Sequence, residues 1–85
     1  MEKELTSLSE LEVGQVLVKV LPNTPRKEIL KALKSADDLY IVQSVDEEAI
    51  VLKVAMFASR NSNIEYEVIS ISPSQFFYNC CWYIR

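Results

Sequence analysis

The amino-acid sequence predicts an α+β domain, a small, strongly bent antiparallel sheet or barrel of about five strands with one inserted helix and a short C-terminal helical turn. Three observations support this fold class. Apolar and polar residues alternate in several short segments, which is the period of half-buried strands. A segment with helical periodicity follows the first of these strands. The alternation changes phase at Val68 and Ile69, which indicates a β-bulge that would let the sheet curl.

The composition is that of a single globular domain over residues 1–85. Hydrophobic residues make up 49% of the chain and charged residues 25%, which argues against disorder. A domain of this size has a small core and a large surface, yet the mean hydropathy is +0.08. We therefore expect surplus apolar side chains that are covered by a partner protein or by a second copy of the chain in a homodimer.

The N-terminal part predicts a helical or 3₁₀ turn and then a strand. Leucines recur at every third position in residues 1–12, as in one turn laid over a core. Gly14 is the sole glycine, and we expect it to have a positive φ or a close backbone neighbour. Residues 16–21 then alternate as a strand. The stretch ELEVGQVLVKV resembles the opening of SH3-like barrels. With five strands, one helix and a bulged strand, the predicted form is a strongly bent antiparallel sheet or an SH3-like barrel, and a flatter antiparallel sheet with the helix on one face is the alternative.

Thr24 and Pro25 predict the start of the helix, because threonine suits the N-cap and proline suits the first turn. The helix is expected to end near Ala36. Its basic residues are separated from its apolar residues and form a stripe of their own. The apolar face comprises Ile29, Leu30, Ala32, Leu33 and Ala36, and the basic stripe comprises Arg26, Lys27, Lys31 and Lys34.

Three further strands are predicted in the middle of the chain. Residues 39–44 are rich in β-branched and aromatic side chains. A turn at residues 45–48 connects them to a partner strand over residues 49–57. A polar loop at residues 58–63 precedes the bulged strand at residues 64–72. The predicted order of elements is therefore β-α-β-β-β, followed by a short helical turn and a last strand.

The C-terminal segment predicts a helical turn and a closing strand. Residues 72–75 (Ser-Pro-Ser-Gln) have the pattern of a capping box with proline at the first helical position, so we expect a turn over residues 73–78. Asn79 suits the end of that turn, and residues 80–84 suit a strand. Five of the eight aromatic residues lie in residues 76–85. They indicate a strand that fills the core, or a binding surface made by those that stay exposed.

No pattern in the sequence predicts catalysis, a cofactor or a metal site. The chain has no histidine, which is the commonest general base, and its single glycine leaves no phosphate-cradling loop. Cys80 and Cys81 are adjacent on a predicted strand and would point to opposite faces, so they suit neither a shared metal ion nor an unstrained disulfide. We expect a non-enzymatic protein whose reduced thiols fill the core.

Two groups of residues are candidates for binding a partner protein. The basic stripe stands out on a chain with a net charge of −3 and favours an acidic partner. The aromatic residues near the C-terminus are of the types that interface cores favour. A purely structural interpretation, with solvated lysines and core aromatics, is the alternative. The predicted partner-binding residues are Phe77, Tyr78, Trp82, Tyr83, Lys27, Lys31 and Lys34.

The predicted function is that of a regulatory, inhibitor-type protein that occupies the surface of a partner protein. Compact proteins of this kind are frequent among phage and mobile-element inhibitors of host proteins. A cytoplasmic location is expected, because residues 1–10 do not form a signal peptide and no apolar run reaches the length of a membrane-spanning helix. The second hypothesis is a nucleic-acid-binding small barrel that uses the basic stripe, although the acidic net charge counts against it.

Overall fold

The computed structural model describes residues 3–35, 38–57 and 64–85. Among these residues, six strands form one antiparallel sheet, and a helix lies between the second and third strands in the chain. The elements are β1 (Lys3–Leu5), β2 (Val16–Val20), α1 (Arg26–Ser35), β3 (Asp38–Val45), β4 (Ile50–Phe57), β5 (Ile64–Ile71) and β6 (Cys81–Ile84), with short 3₁₀ turns at Leu8–Glu10 and Pro73–Gln75. The order of strands across the sheet is β1-β6-β2-β3-β4-β5.

The α+β class is confirmed, but the SH3-like barrel is not. Strands β1 and β5 form the two edges of the sheet, and no pairing between described residues joins these edges. The observed sheet is therefore open. The five predicted strands agree with observed strands to within one residue at each end. The loop predicted at residues 58–63 and the helix end predicted near Ala36 lie outside the described residues.

The sequence prediction missed β1, which pairs only with β6. In this pairing Leu5 lies opposite Trp82 and is almost completely buried. A strand of three residues is too short to show a periodicity. Its existence depends on a partner strand at the other end of the sequence, which no local pattern reveals.

The predicted bulge at Val68 and Ile69 is wrong. Strand β5 pairs with β4 in one continuous register from Ile64 to Ile71. The two neighbouring apolar residues do not mark a change of phase, because Ile69 packs towards a buried cluster while Val68 is exposed on the other side of the sheet. The observed register shift lies in β3, between Val42 and Ser44.

One face of the sheet is covered by segments from both ends of the chain, and we call it the tail face. Directly paired residues of antiparallel strands point to the same side, so the pairing of the strands assigns each strand residue to a face. On the tail face the sheet is covered by the segment before β6 and by the residues of the first 3₁₀ turn. The strand residues buried there are Leu5, Leu17, Val42, Ile50, Leu52 and Trp82, and the residues packed over them include Leu11, Phe76 and Cys80.

The opposite face carries α1, and we call it the helix face. A smaller cluster is buried between the helix and strands β2 and β6. The strand residues in this cluster are Val18, Val20 and Tyr83, and the helix contributes Ile29, Ala32 and Leu33. Helix α1 therefore covers only one part of this face.

The N-terminal 3₁₀ turn lies where the sequence predicted a turn, but the sequence analysis did not predict its capping box. Ser7 and Glu10 form a capping box, in which the Glu10 carboxylate accepts hydrogen bonds from the backbone N–H groups of Thr6 (2.9 Å) and Ser7 (3.0 Å). These bonds, chiefly those from Thr6, hold the pKa of Glu10 below its ordinary value. Gly14 has a φ of 93°, as predicted, and its N–H donates to the carbonyl of Val42.

The second 3₁₀ turn begins at Pro73 as predicted, but the predicted capping box is absent there, since the Ser72 side chain makes no capping hydrogen bond. The turned segment ends at Asn79, which has a φ of 54°. The segment is held instead by Trp82. The indole N–H of Trp82 donates to the carbonyl of Phe76 at 2.7 Å, and the two rings are stacked with centroids 4.7 Å apart.

The substitution Trp82→Phe tests this bond. We expect it to lower the free energy of unfolding by about 2 kcal/mol, because the buried Phe76 carbonyl would keep only the weak thiol donor of Cys80. Urea denaturation followed by circular dichroism measures the change. The control is Tyr78→Phe at an exposed position, where we expect a change below about 0.5 kcal/mol. An equally small effect of Trp82→Phe would show that the indole N–H does not hold this segment in place.

Candidate functional site

The basic stripe of α1 lies on the side of the helix that faces solvent. Lys27, Lys31 and Lys34 are all exposed. At about 100° per residue they occupy roughly 60° of the helix surface, opposite the residues that pack on the sheet. Within the described part of the chain, none of the three makes an ion pair. These three lysines therefore form a solvated cluster of positive charge, which we call the lysine stripe. Arg26, the fourth residue of the predicted basic stripe, lines a cleft with Ile29 and Tyr83 instead.

Trp82 and Tyr83 are buried, so the structure does not support the exposed binding role predicted for them. Only 1% of the surface of Trp82 and 9% of that of Tyr83 is exposed. Trp82 belongs to the cluster of the tail face, and Tyr83 lies under α1 on the helix face, because consecutive residues of β6 point to opposite sides. The Tyr83 hydroxyl donates to Glu4 Oε1 at 3.4 Å.

Phe77 and Tyr78 lie in the segment that covers the tail face. Phe77 is half-buried against the tail-face cluster, and its ring packs edge-on against Phe76 at 5.1 Å. Tyr78 is 68% exposed. The lysine stripe is on the helix side of the sheet, so the predicted binding residues do not form one surface.

The sequence analysis missed an apolar surface on the helix face beside α1. A row of paired residues crosses four strands there, from Val16 to Ile41, Lys53 and Val68. All four are half-buried or exposed, and none belongs to the buried clusters or packs against them. We call this row, together with its neighbours Val51 and Tyr66, the open face.

The most exposed part of the open face is on the edge strand β5. Val68 is 65% exposed and Tyr66 is 54% exposed. The ammonium group of Lys53 lies 4.3 Å from the centre of the Tyr66 ring, which is cation–π geometry. The sequence does contain a signal of this surface. Tyr66 and Val68 alternate with Glu65 and Glu67, which lie on the other face of β5. The next residue on that other face, Ile69, is apolar, so both faces of the strand carry apolar side chains.

A shallow cleft lies at the other side of α1. Its volume is about 380 Å³, and it is lined by Glu4, Thr24, Arg26, Ile29 and Tyr83. Tyr83 and Glu4 are joined by the hydrogen bond described above, and the Thr24 hydroxyl donates to the carbonyl of Leu21. The cleft separates the N-terminal end of α1 from strands β1 and β6.

The cysteines are free thiols in different surroundings. Cys80 is buried on the tail face, where its thiol lies 3.2 Å from the carbonyl of Phe76 as a hydrogen-bond donor. Burial raises the pKa of this thiol. Cys81 is half-buried on the helix face. In residues 3–35, 38–57 and 64–85, no three cysteine or acidic side chains are grouped closely enough to hold a metal ion.

Comparisons with protein-family models, curated proteins and solved structures find no match to this chain. Among the described helices, none has the length and apolar character needed to cross a membrane.

The two thiols are expected to differ in reactivity. In the folded protein, iodoacetamide should modify Cys81 at least about tenfold faster than Cys80, because burial and a raised pKa keep little thiolate available at Cys80. Mass spectrometry of the single-thiol variants Cys80→Ala and Cys81→Ala measures the two rates. In urea the two rates should become similar. Equal rates in the folded state would contradict the buried position of Cys80.

Proposed function

We propose that this protein is a non-enzymatic, regulatory binding protein that acts by occupying an acidic surface of a partner protein. The observation that supports the proposal most strongly is the lysine stripe. Three exposed ammonium groups lie side by side on a protein with a net charge of −3, and within the described residues none of them is neutralised by a carboxylate. Clustered charge of one sign steers partners of the opposite sign and fixes their orientation.

The helix that presents the stripe is firmly positioned, which favours binding with a defined geometry. Ile29, Ala32 and Leu33 pack against the cluster of the helix face. The stripe lies opposite these residues, so the lysine side chains can contact another protein without any change in the packing of α1. A rigid support reduces the loss of entropy on binding. The protein would inhibit its partner if the acidic surface that it occupies is also the surface to which the partner's own ligand binds.

This proposal keeps only two of the four aromatic residues that were predicted to bind the partner. Tyr78 remains a candidate contact because it is exposed, and Phe77 because it is half-buried. Both lie on the tail-face side, so they would meet a second region of the partner or a second protein. Trp82 and Tyr83 are left out, because they would have to leave the core to make contact.

Binding of a nucleic acid to the lysine stripe is the alternative. Single-stranded nucleic acids are usually held by basic residues interleaved with exposed aromatic rings. Helix α1 has no aromatic residue, and the exposed Tyr78 lies on the other side of the sheet. Tyr66 is exposed on the helix face, but it lies on the edge strand β5, which β3 and β4 separate from β2 under α1. The geometry therefore favours a protein partner.

The triple variant Lys27→Gln, Lys31→Gln and Lys34→Gln tests the proposal. When this triple variant is used as bait in a lysate of the native host, it should retain about tenfold less of a protein that the unmodified chain captures, because three charge contacts are lost. The control is Lys3→Gln with Lys19→Gln, which removes two exposed lysines from strands β1 and β2 together with the ion pair between Lys3 and Glu10. Quantitative mass spectrometry compares the baits, and circular dichroism checks their folding.

Two results would contradict the proposal. Equal capture by the triple variant and by the unmodified chain would remove the lysine stripe from the binding surface. Binding of labelled DNA or RNA that weakens steeply between low and high salt, and is lost in the triple variant, would assign the stripe to a nucleic acid.

A further inference from the structure

The helix face has room for a second helix. Six strands at about 4.8 Å spacing give a sheet roughly 24 Å wide, whereas a helix with its side chains is about 10–12 Å across. Helix α1 packs on the cluster formed by β2 and β6, and Leu39 of β3 packs against the same cluster. The open face extends from Val16 of β2 across β3, β4 and β5, and within this width Ala55 of β4, opposite Tyr66, is buried. Domains of this class normally cover such a surface with a further helix, but the described part of the chain supplies none.

The chemistry of the open face selects the kind of helix that would fit. Its row of valine and isoleucine side chains would be buried best by a helix that has an apolar stripe along one side. Lys53, at the centre, is the only charged side chain on this side of the described parts of β3, β4 and β5, because Asp38, Glu65 and Glu67 point to the tail face. A helix laid across Lys53 would have to offer it a carboxylate, since a charge covered without a partner is unfavourable.

Charge also argues against a second copy of this chain as the occupant. A symmetric contact through the open face would place Lys53 of one copy near Lys53 of the other. Like charges held together in this way disfavour association. An acidic foreign segment would instead place a carboxylate against Lys53.

We propose that the open face is the docking site for an acidic amphipathic helix of the partner protein. The helix lies beside α1, with its apolar stripe on Val16, Ile41 and Val68 and a carboxylate on Lys53. This inference rests on the proposed function, because it names the part of the partner that binds. It adds a surface to the lysine stripe, so the two surfaces can be tested separately.

Two synthetic peptides serve as probes. Both are amphipathic helices of about 18 residues, long enough to fold on contact, with leucines at helical spacing. One has glutamates at the flanking positions and the other has lysines. Each is titrated into the ¹⁵N-labelled full chain and followed by NMR. The glutamate peptide should shift the amide signals of Ile41, Lys53 and Val68, and the lysine peptide should bind at least about tenfold more weakly.

Two substitutions locate the site. Val68→Glu places a negative charge on the open face and should weaken binding of the glutamate peptide at least about tenfold. The matched control is Val13→Glu, at a valine of similar exposure (69% against 65%) outside the sheet, and it should leave binding unchanged. Lys53→Glu should reverse the preference, so that the lysine peptide binds more tightly. Amide spectra of the free variants show whether each is folded.

Several results would overturn the inference. The first is that the glutamate peptide does not bind. The second is that Val68→Glu and Val13→Glu weaken its binding equally. The third is that light scattering shows a dimer that Val68→Glu dissociates. The last result would give the open face to a second copy. In the lysate experiment, a partner lost by the triple lysine variant but kept by Val68→Glu contradicts this inference alone. A partner kept by the triple variant but lost by Val68→Glu contradicts only the role of the lysine stripe.

Discussion

The insertion of β6 between β1 and β2 is the interaction on which the rest of the structure depends. It pairs residues from opposite ends of the sequence, with Trp82 opposite Leu5 and Tyr83 opposite Val18. Because consecutive strand residues point to opposite sides, this one strand supplies the largest side chain of both buried clusters. Without β6, strand β1 would have no neighbour, and the segment around Phe76 would lose the indole that holds it.

The two faces of the sheet are covered unequally, and the proposed docking surface follows from this difference. Segments from both ends of the chain cover the tail face, whereas among the described residues the helix face is covered by the ten residues of α1. A helix of that length spans about 15 Å and covers part of a six-stranded sheet. The apolar side chains that remain uncovered, with Lys53 among them, form the open face. The surface proposed for partner binding is therefore the part of the sheet that the fold does not bury.

Local patterns in the sequence predicted the elements whose structure is decided locally. Helix α1, the positive φ of Gly14 and the turn ending at Asn79 follow from capping residues, periodicity and backbone preferences. The burial of Trp82 and Tyr83 depends on strands far away in the sequence, so composition alone left their role open. The pair Val68–Ile69 was interpreted as a bulge because alternation cannot distinguish an apolar residue facing the core from one facing solvent. The lysine stripe was found from the sequence, and the open face required the sheet.

The central claim is that part of the helix face is uncovered in the free protein. Methyl NMR of a dilute sample with a soluble gadolinium chelate measures this directly, because the chelate broadens only the signals of groups that it can approach. The methyl signals of Val68 should broaden strongly, whereas those of Leu52, which is buried on the tail face, should stay sharp. Protection of Val68 equal to that of Leu52 would mean that the open face is already covered, and it would contradict the account.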